Sequence, residues 1–424
     1  MHSLCTALQL RQTSVNRVPA QALRAAALSM LLLVAGCGGD GSLDTSANLQ
    51  AATGTVTLAT LSAQAQLGQK IFSDTSLSAS SQLACATCHN PANAHAPANA
   101  LAVQLGGASG TIAGTRAAPS LRYLNLTPAF FFANDGTPTG GFDRDGRAAT
   151  LAEQARIPFL AAHEMANASV ADVIDRLSRS TYADDFKRVF GVAILDQPVQ
   201  AFERIGFALQ QYQKEDHAFF PFDAKYDQFL AGKADLSGAE LRGLALFNNP
   251  AKGNCAACHT SAIGSNGSSP LFTDFSFDNL GVPRNGAIAA NADPAYFDLG
   301  LCGPARSDLS SRNDLCGAFK VPTLRNVAIR QVFFHNGRFN NLRDVLGFYV
   351  RRDTHPEQWY PRAPDGSVEK FDDLPAAYRK NVNVTEGPYD RRPGMAPALS
   401  EQEIDDVISF LGTLTDADLT PSNR

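Results

Sequence analysis

Two stretches of this chain repeat apolar and polar residues at helical spacing, each just ahead of a cysteine pair. LSAQAQLGQKIFS (61–73) and LSGAELRGLALFN (236–248) predict amphipathic helices with one face turned to a core. Thr150 with Glu153, and Ser400 with Glu403, have capping-box spacing and open two more helices, LAEQARI (151–157) and EQEIDDVISFLGTL (401–414). Further on, Leu342, Val345, Leu346 and Tyr349 recur along one helical stripe, a pattern that on its own reads as core packing. Between Thr260 and Phe319 the chain is rich in Gly, Ser, Asn and Asp with few periodic signals, which predicts loops. The pattern is therefore mostly α with loop-rich insertions.

The N-terminus follows a different rule. AAALSMLLLVAGC (25–37) is apolar but too short to span a bilayer, and it follows Arg11, Arg17 and Arg24 as the core of a signal peptide would. Its end, LVAGC, resembles a bacterial lipobox, which makes Cys37 the expected lipid anchor, and Gly38 after it favours the outer membrane. Residues 38–60 are small and polar without periodicity; as a flexible coil they would reach about 25 Å. The expected layout is a signal peptide (1–36), a lipidated tether (37–60), and two domains spanning 61–215 and 216–424.

The two domains look like copies. RAAPSLRYL (116–124) is matched by FKVPTLRNV (319–327), and RDGRAATL (144–151) by HNGRFNNL (335–342), in the same order after each cysteine pair. Those pairs are LACATCHNP (83–91) and NCAACHTS (254–261). A Cys-x-x-Cys alone would fit a redox dithiol or half a zinc site; a histidine placed directly after the second cysteine selects c-type haem attachment. Cys85 and Cys88, then Cys255 and Cys258, would tether two haems, with His89 and His259 as axial ligands. Two covalent c-type haems on two tandem cytochrome c-like domains follow.

Composition narrows the class. The 424 residues are 44% hydrophobic and 18% charged, enough to bury two cores. The net charge of −5 becomes −8 once residues 1–36 are removed, and no basic stripe for nucleic acid exists. After Cys5, Cys37 and the four clip cysteines are assigned, Cys302 and Cys316 remain, and in an oxidising compartment they are expected to pair.

With the clips, GGFDRDGRAATLAEQARIPFLAAHEMAN (140–167) and FKVPTLRNVAIRQVFFHNGRFNNLRDVLGFYVRRD (319–353) resemble the bacterial dihaem cytochrome c peroxidases, and more closely their MauG-like branch. The resemblance implies a peroxide site at the His89 haem, with Gln154, Pro158 and Glu164 on its distal side and an electron-supplying haem at His259. Glu164 would move the proton during O–O cleavage, Gln154 would donate to bound oxygen, and Pro158 would end its helix without offering a ligand. His163 is a rival base. Peroxidases that need prior reduction carry a blocking histidine after the first clip; the loop here holds only His95, too near His89 in the chain to swing across.

The branch also places a tyrosine where peroxidases have a methionine ligand, fourteen residues after the position of His335, and Tyr349 stands there with Met395 as fallback. A phenolate favours oxidised iron. One departure weakens the likeness: the family's inter-haem tryptophan is Arg144 here, a residue that would suit a haem propionate, and Trp359 lies elsewhere. The family's inter-domain calcium would fall near Tyr123, with Asn125 two residues on. The implied activity is a periplasmic oxidoreductase that uses hydrogen peroxide to form high-valent haem iron and oxidise a protein or redox partner. The alternatives are peroxide removal with electrons from a small cytochrome or cupredoxin, and a non-catalytic dihaem electron carrier.

Overall fold

A computed structural model describes residues 60–420. The expected signal peptide, the Cys37 anchor and nearly all of the tether lie outside these residues. None of the described helices is long and apolar enough to cross a membrane.

The described chain is helical with a few very short strands. In order, the helices are α1 (Ala63–Ser73), α2 (Cys85–Cys88), α3 (Leu151–Leu160), α4 (Val170–Ser178), α5 (Ala183–Phe190), α6 (Pro198–Glu215), α7 (Lys225–Leu230), α8 (Gly238–Asn248), α9 (Leu342–Arg351) and α10 (Glu401–Gly412). Three antiparallel pairs accompany them: β1 (Leu105–Gly106) with β2 (Ile112–Ala113), β3 (Phe131–Phe132) with β4 (Pro138–Thr139), and β5 (Phe277–Asp278) with β6 (Phe319–Lys320).

The helix starts follow from their caps. Ser400 accepts the Glu403 N–H and Glu403 returns a bond to the Ser400 N–H, a complete capping box, and Ser237 with Glu240 makes another at α8. At α3 the exchange is different: Thr150 accepts from Glu153 N–H, but the Glu153 carboxylate takes the N–H of Ala149. Pro158 does not end α3 as expected. The helix continues to Leu160, because a proline in the last turn forfeits one bond only, and Ala161 N–H still reaches Ile157 O.

Buried apolar residues fall into two main cores. The first joins α1, α3, α4, α5 and α6 around Leu67, Phe72, Phe159, Phe186 and Leu209. The second joins α8, α9 and α10 around Phe247, Phe272, Phe348 and Phe410. Each core contains a close helix crossing at a glycine. A Cβ on Gly68 of α1 would lie 2.1 Å from Ala208 O of α6, and one on Gly243 of α8 would lie 2.0 Å from Asp406 O of α10. Only a residue without a side chain lets these backbones touch, and both clips follow such a helix.

The matched segments fold alike down to the backbone angles. Asp143 and Phe334 both have positive φ (63° and 65°), as do Gly146 and Gly337 and, further up the chain, Tyr123 and Asn326. Asp416 ties the halves together: it accepts from the Tyr123 hydroxyl at 2.5 Å, from Asn326 at 2.6 Å and from Arg122 at 2.7 Å. The loop-heavy region carries no α-helix, and Cys302 and Cys316 are disulfide-bonded within it.

Candidate haem sites

Each clip is a short turn that presents its histidine to a rack of backbone carbonyls. His89 Nδ1 lies 3.1 Å from Pro119 O and 3.3 Å from His95 O; His259 Nδ1 lies 2.8 Å from Phe272 O and also bonds the Pro322 carbonyl. Pro119 and Pro322 are matched positions of the two copies. A carbonyl only accepts, so Nδ1 carries the proton and Nε2 keeps a free lone pair, the arrangement a metal ligand needs. Burial pushes the His89 ring down to about 4 and lowers His259 as well, so both are neutral.

The four clip cysteines form no disulfide. Burial raises Cys85 and Cys255 to about 12 and Cys88 to about 11, so none is the low-pKa thiol of a redox dithiol. No three His, Cys, Asp or Glu side chains converge as a metal cluster among the described residues. Thiols, neutral imidazoles and the cavity described next all fit covalent haem.

The helix that follows each clip's matched segments differs between the copies. Thr150 caps α3 and Asn341 caps α9, and counting from the caps the eighth helical residue is Pro158 in one and Tyr349 in the other. Around Tyr349 the surroundings are aromatic: Phe334 at 5.7 Å and Tyr389 at 5.9 Å between ring centroids. Tyr349 lines a cavity of about 300 Å³ together with His259, Leu271 and Tyr389. Burial raises its phenol well above the ordinary value, with Cys255 and Asp278 adding to the shift. A phenol this desolvated ionises only against a strong positive charge, such as an iron.

In the first copy Asp143 occupies the position of Phe334. It accepts from Gln154 Nε2 at 3.3 Å and pairs with Arg147 at 3.0 Å. Asp143 and Arg147 were missed at the level of sequence; matching FDRDGR to FFHNGR would have exposed an acid at an apolar position. Glu164 stands nearby. Its N–H bonds Ala161 O, its carbonyl accepts from Gly107 of the β1–β2 hairpin, and its Oε2 is buried with no partner. Burial lifts Glu164 to about 7, the neighbouring Asp143 adding to this and Arg147 opposing it, and its charge is felt at both Cys85 and Cys88. Asp143 and Gln154 line the same continuous cavity as His259 and Tyr349.

The remaining expected residues are placed as follows. His95 is 1% exposed and stacked on Phe219 at 3.9 Å, fixed in the first core rather than reaching across a haem. His163 is partly buried beside Gly114, and burial lowers its pKa. Met395, the fallback ligand, is 48% exposed and does not line the cavity. Trp359 packs on Phe348 and Phe339. Tyr123 spends its hydroxyl on Asp416, while the Asn125 side-chain oxygen is buried without a partner.

Two Cys-x-x-Cys-His turns, two oriented neutral imidazoles and a cavity lined by the second turn, Tyr349, Asp143 and Gln154 define a chain built to carry two covalently attached haems. The family model described as di-haem cytochrome c peroxidase matches residues 62–235. The chain is 33% identical over 370 residues to the methylamine utilization protein MauG of Paracoccus denitrificans, covering 85% of this chain and 90% of that one. It is 28% identical over 293 residues to the cytochrome c551 peroxidase of Nitrosomonas europaea, covering 66% and 71%. Among solved structures, the diheme peroxidase BthA from Burkholderia thailandensis is similar at 41% identity and TM-score 0.77, covering 84% of this chain and 86% of that one. The chain belongs to the di-haem cytochrome c peroxidase and MauG family, whose members are peroxide-using oxidoreductases.

Proposed function

We propose that this chain is a MauG-like peroxidase that takes peroxide at the His89 haem without prior reduction and passes the oxidising equivalents to a protein substrate or small redox protein. The observation that carries this is the exchange at one helical position: Pro158 in the first copy offers no donor, and Tyr349 in the second offers a hard one. The haems, when bound, supply the redox chemistry. The side chains do the rest. Glu164 accepts the peroxide proton and returns it to the leaving oxygen, held in a pocket where Asp143 and Arg147 set its charge. Gln154, anchored on Asp143, donates to the bound oxidant. Tyr349 would hold the second haem's iron, with Tyr389 beside it.

In this reading each half, 61–215 and 216–424, is a haem domain. The protein works in the periplasm, held to the outer membrane through Cys37, and the unpartnered Asn125 side-chain oxygen would serve a calcium ion. Stopped-flow absorbance of the as-isolated diferric protein with stoichiometric peroxide tests the proposal. Rapid spectral change without added electrons supports it. A response only after one electron has been added moves the chain to simple peroxide removal, and silence in both samples to electron carriage.

A further inference from the structure

Three cations line the cavity at the second clip without an ion-pair partner: Arg144, Lys320 and Arg330. Arg144 Nε donates to Ala117 O at 2.9 Å, Arg330 Nη2 to Ala118 O at 2.9 Å, and Lys320 Nζ to Gly141 O. Arg330 Nη1 is buried with no partner. The carboxylates in reach are already committed: Asp143 to Arg147, Asp145 to Arg116 and Arg147, and Asp298 to Arg116. Desolvation accordingly lowers Arg144 to about 9, Arg330 to about 10 and Lys320 to about 8. Asp143 and Asp145 offset part of the Lys320 charge and Asp298 part of that on Arg144, but none of them is in direct contact, and cations held out of water without a contact partner call for anions from elsewhere.

The anchoring says which anions. Ala117, Ala118 and Pro119 are consecutive, and their carbonyls receive Arg144, Arg330 and the His89 ring in turn. Lys320 stands two residues before Pro322, the carbonyl that orients His259. The copies also cross-link here: Lys320 N–H bonds Arg144 O at 2.9 Å and Ala117 N–H bonds His335 O at 2.8 Å. One cationic seam is thus built on the proximal racks of both haems.

Resting on the reading that both clips carry haem, we infer that Arg144, Arg330 and Lys320 form a carboxylate-binding seam that receives propionates from both haems and joins the two groups electrostatically. Guanidinium suits carboxylate through paired N–H donors. A cation held against a propionate disfavours the more positive ferric state, so removing it stabilises oxidised iron at each haem.

Spectroelectrochemical titration of the full-length dihaem protein tests this, using Arg144→Met, Arg330→Met, Lys320→Met and the conservative Arg144→Lys. Haem content is counted first in every sample. The seam predicts that Arg144→Met shifts the one-electron equilibrium of both haems at least tenfold toward ferric, 59 mV for one electron, and that Arg144→Lys recovers most of it. Arg330→Met and Lys320→Met should shift it in the same direction. Two bound haems with unmoved potentials, or a shift confined to one haem, overturns the seam alone. A wild-type chain with fewer than two haems removes the underlying reading as well.

Discussion

Replacing Glu164 by glutamine removes the group proposed to move the peroxide proton while keeping its size and hydrogen-bonding shape. The structure sets the expected pH profile. Burial, with Asp143 adding to it, lifts the carboxyl to about 7. Only the ionised form accepts a proton, so the rate of the first peroxide step should rise with pH and level off above about 8. Between pH 6 and pH 8 the ionised fraction climbs from about 9% to about 91%, about tenfold. Glu164→Gln should erase that limb and slow the step by about 10²- to 10⁴-fold, with both haems still attached. The neighbours give the sign of two controls. Asp143→Asn removes a like charge and should move the midpoint to lower pH; Arg147→Gln removes an opposing charge and should move it higher. Stability carries the same signature. A carboxyl raised in the folded state is held at no cost below its unfolded value near 4.5 and costs about 3 kcal/mol once ionised above 7, a loss that Glu164→Gln abolishes. Single-turnover stopped flow across pH 5 to 9 is the assay. A rate within tenfold of wild type in Glu164→Gln, or a limb that survives there, refutes the assignment.

Tyr349→Phe should change the visible and electron paramagnetic spectra of one haem and leave the other alone, whereas Tyr389→Phe, 5.9 Å away ring to ring, should change neither ligand set. An unaltered Tyr349→Phe spectrum defeats the ligand assignment. Gly243→Val would place Cβ 2.0 Å from Asp406 O and force α8 off α10, costing about 3 kcal/mol and lowering the melting temperature by several degrees. Gly238→Ala, which meets nothing closer than Arg242 Nη1 at 3.6 Å, should be neutral in the same melt. Opening the Cys302–Cys316 bridge by the double serine variant should cost about 3 kcal/mol, from the freed closure of a 14-residue separation.

What could be read in advance was what depends on side-chain pattern. The helices before each clip begin within two residues of their expected starts, because Ser62 and Ser237 cap them and their apolar faces fix the register. The clips and the disulfide pair were legible because their chemistry is written in cysteine spacing. What escaped depends on backbone. No residue type announces that the carbonyls of Ala117, Ala118 and Pro119 hold two guanidiniums and an imidazole, since any residue has a carbonyl. Asp143 escaped because an acid in FDRDGR looks like ordinary loop polarity until its left-handed turn is laid over Phe334. His95 was expected to be harmless for want of chain length; the structure gives a stronger reason, its ring being packed on Phe219 inside the first core. Tyr389 lies 40 residues past Tyr349 in an irregular segment, and only the packed fold joins them.

The two copies share caps, turns and racks, so what distinguishes them is the side chains carried at matched positions. Pro158 against Tyr349 is the exchange with the most direct chemical meaning, and it yields a converse test. Pro158→Tyr restores the N–H that α3 lacks at that point, giving Gln154 O its helical partner back, so the backbone has no reason to resist. It also places a phenol at the helical position from which Tyr349 reaches the cavity it lines with His259. Pro158 is only partly buried, which leaves room for the larger ring. If the open first iron is what admits peroxide, the variant should acquire two similar haem spectra and lose its rapid response to peroxide, while Glu164 and Gln154 stay in place. Undiminished reaction with peroxide in Pro158→Tyr, with a second tyrosine-ligated spectrum present, would mean that peroxide is handled elsewhere and that the asymmetry of the copies serves another end.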